Sequence, residues 1–174
     1  MRAADALYER RGEGAVDGVA QAEPIEAAMA LYRSALSLDP GSYAARLGLL
    51  RAIFFRGGFC AIEEGEQIKL FEEAVHLGDD TTRRLEADLK ESRLLAHRDA
   101  LRREPLAAEI YLWAAVSWGE WAETHKLGAA WRGAPAQIRD LAQAVVDLEP
   151  GTLFGGGYLI LGRLHAEAPR IPLL

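Results

Sequence analysis

The chain has a single cysteine, Cys60, which excludes an internal disulfide and a cysteine-based zinc centre. Val, Ile and Thr are sparse beside Ala and Leu, and period-two alternation is almost missing. Both shortages disfavour sheet and favour helix. No apolar run is long enough to span a bilayer. The opening "MRAADALYERR" is charged and amphipathic and lacks the apolar core of a signal peptide, so a cytoplasmic location is expected if Met1 is the true start. Positive charge is also short. The formal net charge is −6, which argues against nucleic acid as the main partner.

What is present suits one helical domain. With 174 residues, of which 50% are hydrophobic and 26% charged, the chain can bury a real core and is not disordered. The pattern predicts eight helices. The first covers about Arg2–Arg11 and is followed by a loosened stretch with Gly12, Gly14 and Gly18. The second opens near Pro24 and stops at "LDPGS" after Leu38. Ser42 caps a third, Tyr43–Phe55, which ends at Gly57-Gly58. A fourth, Ile62–Leu77, is closed by Gly78, and "DDTT" opens a fifth to about Arg103. Glu104-Pro105 opens a sixth to about Lys126. The last two cover Ala136–Leu148 and Gly156–Ala166.

The helices repeat a pattern. Counting back from Pro40, Ala28, Tyr32 and Ala35 occupy the small, aromatic, small positions of the second helix of a tetratricopeptide (TPR) hairpin. Ile138, Ala142 and Val145 hold the same offsets before Pro150. Phe71 and Ala74 do so before Asp79, which stands where the proline would be. The first-helix signature is matched by Trp118, Trp121, Ala122 and His125, and again by Tyr158, Leu161, Gly162 and His165. His125 and His165 are expected in the same core-facing slot. The loop around Trp131 reads as an insertion. The fold expected is all-α, a TPR-like stack of about four helical hairpins over residues 1–174.

Motifs for chemistry are weak. Gly155-Gly156-Gly157 lacks the Lys and Ser/Thr of a phosphate-binding loop, and no strand precedes it. The glycines are expected to turn a corner, with Gly162 allowing close packing. His76, His97, His125 and His165 show no metal-ligand spacing, so no metal or cofactor is expected. Cys60 has no base beside it in sequence, and the carboxylates Glu63, Glu64, Glu66, Glu72 and Glu73 read as a solvated helix face. An enzyme would require His125, Glu120 and His165 to meet only through the fold. On a helical wheel Tyr111, Ala114, Trp118, Trp121, Ala122 and His125 form the core stripe. Trp113 falls opposite, among Ser117, Glu120 and Thr124. Trp113, Trp131 and Arg132 are therefore the candidates for a partner or ligand surface, against burial of Trp113 between neighbouring helices.

The segments "YLWAAVSWGEWAETHKLG" and "IRDLAQAVVDLEPGTLFGGGYLILGRLHAEAPRIP" resemble the TRAP-transporter T-component family, TatT. The resemblance is specific over about Tyr111–Pro172; "LYRSALSLDP" in the first half is similar in TPR character only. It implies a non-enzymatic periplasmic lipoprotein that associates with the solute-binding receptor of a TRAP transporter and can form trimers with a ligand-accommodating pore. No lipid-bearing cysteine lies near the start. The family would also continue with a helix pair after "PRIP", so the domain reads as stopping short of its C-terminal capping helices. The last predicted helix is apolar nearly all round, and exposed apolar surface is expected there, from a fragment or from a face packed on another subunit. The alternative function is a generic TPR adaptor between proteins.

Overall fold

The computed structural model describes residues 1–91, 104–125 and 132–167, and these residues are all-helical apart from turns and two isolated bridges. Seven helices are defined among them: α1 Arg2–Glu9, α2 Ala22–Leu38, α3 Tyr43–Phe59, α4 Glu64–Glu91, α5 Ala107–His125, α6 Ala134–Leu148 and α7 Thr152–Glu167. Each packs on the next in chain order. In addition α3 touches α5, and α5 touches α7, so alternate helices also meet. That order is compatible with stacked helical hairpins.

The two proline stops have the same geometry. Asp39 follows α2 at φ −135°, ψ 87°, and Glu149 follows α6 at φ −151°, ψ 92°, the extended conformation a following proline requires. The N–H of Asp39 donates to Ala35 O at 2.8 Å, and that of Glu149 to Val145 O at 2.8 Å. Ser42 N–H then donates to Asp39 O, as Thr152 N–H does to Glu149 O. Pro40 and Pro150 are exposed just beyond these ends, and Ala28, Tyr32 and Ala142 are buried as the repeat pattern requires, with Ala35 partly so.

After that shared turn the two copies diverge. Ser42 accepts from Ala45 N–H and α3 starts at once. After Thr152, three successive residues are left-handed: Leu153 (φ 45°), Phe154 (φ 60°) and Gly155 (φ 82°). Only the glycine adopts this conformation without steric cost. The corner is thus turned by Gly155 and two strained neighbours, and regular helix begins at Gly156. Gly156 lies under Leu112, and Gly157 lies within 3.0 Å, by its missing Cβ, of Ala142 O. Close packing therefore falls to these two glycines. Gly162, expected in that role, is exposed with nothing near it.

Other glycines depart from the sequence reading in a consistent way. Gly57 and Gly58 do not end α3, which runs on to Phe59, and a Cβ on Gly57 would strike the ring of buried Phe71 at 2.6 Å. Gly78 does not end a helix either. Glu64–Glu91 is continuous, so the boundary expected at "GDDTT" is absent. Gly78 lets α5 approach, with its Cβ position 3.2 Å from Ala114. Thr81 and Thr82 donate back to Leu77 O and Gly78 O instead of capping a new helix. Asp79 is not a stop residue but a mid-helix acceptor.

That acceptor belongs to a regular seam. Antiparallel α4 and α5 are joined by three polar bridges at seven-residue steps on both helices. Tyr111 Oη donates to Glu86 at 2.8 Å, Trp118 Nε1 donates to Asp79 at 2.8 Å, and His125 Nε2 lies 3.5 Å from Glu72. Seven residues are about two turns, which returns each partner to the same face. Burial and the Glu86 carboxylate push the Tyr111 phenol far above its ordinary range. On the other side of α4, buried Arg46 of α3 donates to Asp80, Thr81 and Pro40 O, and Tyr43 donates to Asp88.

The apolar core has two parts. One gathers α1 to α4 with Trp121, Ala134 and Ile138; the other gathers Leu85 with α5, Leu141 and Val145. Trp118 and Ile160 pack against both. No described helix is long and apolar enough to cross a membrane.

Candidate functional site

Two of the three expected surface residues are described. Trp113 is half-buried on α5, with its ring edge-on to Phe54 of α3 at 5.3 Å. Its indole Nε1 is buried without a hydrogen-bond partner. The residue therefore fills the α3–α5 junction; the wheel placed it on a polar face because a wheel does not register a second neighbouring helix. Ser117, one turn on, is also buried and donates to Trp113 O. Arg132 is exposed, with its guanidinium 5.2 Å from the Trp121 ring centroid, a cation–π distance. Trp131 lies outside the described residues.

Trp121 anchors an aromatic cluster. It is buried, meets Trp118 edge-on at 5.5 Å and stacks on His125 at 4.1 Å. His125 Nδ1 is 2.9 Å from Trp121 O, with Nε2 turned to Glu72. His165 is exposed, so the two histidines do not share one core-facing slot. The slots matched on α7 are largely open: Tyr158 is 57% exposed, Gly162 and His165 are exposed, and Leu161 is partly buried.

Glu120 stands one turn beyond Ser117 on the Trp113 face. Burial, reinforced by Glu123 and opposed by Arg163, pushes its carboxyl above the ordinary range. Such a group keeps its proton in the folded chain where the unfolded chain has lost it. Its effect on stability is thus favourable at low pH and is lost as pH rises through that window. Glu120→Gln is expected to raise Tm at pH 7 and to leave it nearly unchanged at pH 4; an equal gain at both would contradict this. Arg163 also donates to Glu123, tying α7 to α5.

Cys60 is buried, and burial raises its thiol above the usual value, so it carries a thiol rather than a reactive thiolate. No group of three or more His, Cys, Asp or Glu able to hold a metal ion is found among the described residues.

The largest exposed apolar side chains cluster at the start of α7. Phe154 is 99% exposed, Leu159 69%, Tyr158 57% and Leu153 45%. Phe154 is presented on the left-handed corner and Leu159 one helical turn into the regular part. Sequence reasoning expected apolar surface on this helix but not the corner that displays Phe154, because two non-glycine left-handed residues leave no mark in composition. Neither a family model nor a curated protein matches this chain.

Proposed function

We propose that this protein is a non-enzymatic helical-repeat binding protein. It acts as an accessory to a TRAP-type solute uptake system and docks the solute-binding receptor through the start of α7. The observation that carries the reading is the apolar band Leu153, Phe154, Tyr158 and Leu159, which leaves large side chains in water on a strained corner. Strain of this kind is kept where a surface must be presented in one shape, and a clustered apolar patch marks an interaction site. The identity of the partner rests on the resemblance of "YLWAAVSWGEWAETHKLG" and the α6–α7 segment to the T-component family. A small ligand is a second occupant that the same resemblance brings.

Co-expression with a TRAP-type solute-binding receptor from the same genome tests the reading. The receptor is expected to elute with the tagged chain, while an unrelated solute receptor does not. Elution of neither would remove the TRAP assignment and favour a generic TPR adaptor for another protein.

A further inference from the structure

We propose that the cleft between α2 and α4 binds an organic cation, an ammonium or guanidinium carried on an aliphatic stem. The cleft, about 260 Å³, lies far along the chain from α7 and is lined by Glu26, Met29, Arg33, Arg56, Glu66 and Leu70. Helix periodicity builds its two walls. Glu26, Met29 and Arg33 share one stripe of α2, and Glu66, Leu70 and Glu73 share one stripe of α4.

Arg56 of α3 is buried among these residues and 6% exposed. Its Nε donates to Glu26 Oε1 at 2.8 Å, Nη2 to Glu66 Oε1 at 3.3 Å, and Nη1 to Ala61 O at 3.1 Å. Arg33 of α2 forms a fork with both oxygens of Glu73 on α4, at 3.1 and 2.8 Å. Between these bridges Met29 and Leu70 supply apolar surface.

The charges decide the ligand's sign. Three carboxylates face two guanidiniums, on a chain whose net charge is already −6. An anion would have to displace Glu26, Glu66 or Glu73 from an arginine and then lie against the carboxylate it displaced. A cation displaces nothing. Glu26 and Glu66 each give one oxygen to Arg56, and their side chains are 51% and 54% exposed, so the second oxygen of each can accept from a donor in the cleft. The stem of such a donor then covers Met29 and Leu70, as a lysine or arginine stem covers apolar surface elsewhere.

The test follows the Met29 methyl resonance of the intact chain. N-acetyl-arginine-amide is expected to shift it in a saturable, salt-sensitive way, and the neutral N-acetyl-norleucine-amide is not. Glu66→Gln keeps an acceptor for Arg56 and leaves Glu26 in place, so the fold is retained; it is expected to weaken binding at least tenfold, and Glu26→Gln to do the same. A blocked arginine-containing peptide binding more tightly than the single residue would support the site and assign it to a partner's side chain. Equal binding would support the site and assign it to a free small cation. No methyl shift, an equal shift with the neutral analogue, or a shift produced instead by acetate would overturn the proposal.

Discussion

Trp121→Ala is expected to lower stability by about 3–5 kcal/mol, the range for truncating a large buried aromatic. Trp121 is 2% exposed and stands where α4, α5 and α6 meet, packed in the same cluster as Phe71, Ala74, Ala134 and Ile138. Its removal empties a cavity no neighbour can fill, because the flanking residues are themselves held. Trp118 is fixed by its hydrogen bond to Asp79, and His125 by Trp121 O and Glu72. The stacking partner of His125 and the seat of the Arg132 guanidinium are lost together. In a chain of this size each kcal/mol lowers Tm by about 2–4 °C, so a fall of about 10 °C is expected. Urea unfolding measures the free energy directly, and a loss below about 1 kcal/mol would show that the α4–α5 seam does not depend on this ring.

Gly48→Ala is the second. In an exposed helix this change stabilises by about 1 kcal/mol, since glycine is the poorer helix former. Here a Cβ would lie 2.4 Å from Tyr32 Cε1 and 2.6 Å from Cζ. Tyr32 cannot swing away, because it is 2% exposed and its hydroxyl donates to Asp5 of α1 at 2.8 Å. Overpacking of this kind costs about 1–3 kcal/mol, enough to reverse the sign expected from propensity alone. Gly119→Ala is the internal control. Its Cβ would meet nothing within 4 Å, so the variant should be about as stable as the parent or slightly more so. If both variants were stabilised, the α2–α3 contact would be looser than described.

These glycines also show what the sequence could not reveal. The stops at Pro40 and Pro150 were legible because proline acts on its own neighbour, and the structure repeats the same turn at both. Gly57 and Gly78 look like stops by the same local logic, yet lie inside helices. Their role is set by Phe71 and Ala114 on the facing helix, which no local pattern records. The heptad match of Glu72, Asp79 and Glu86 to His125, Trp118 and Tyr111 was present in the spacing. It became readable only once α4 was known to be continuous through Gly78 and antiparallel to α5. Among the candidate surface residues, Arg132 is exposed as expected, while Trp113 fills a junction with α3, a neighbour that a single-helix wheel leaves out. The exposed apolar helix was legible from its all-round apolar character. The left-handed corner that displays Phe154 was not, since Leu and Phe are ordinary helix residues.

The central claim is that α7 presents its apolar band to a protein partner. Phe154→Asn tests it without threatening the fold, because asparagine adopts the left-handed conformation more readily than phenylalanine, so the variant should be at least as stable as the parent. Calorimetric titration of a TRAP-type solute-binding receptor into both proteins is the direct measurement. The account predicts saturable binding to the parent and a Kd at least tenfold weaker for Phe154→Asn, with Tm not reduced. Equal affinity for the two, or no heat of binding with either, would contradict it.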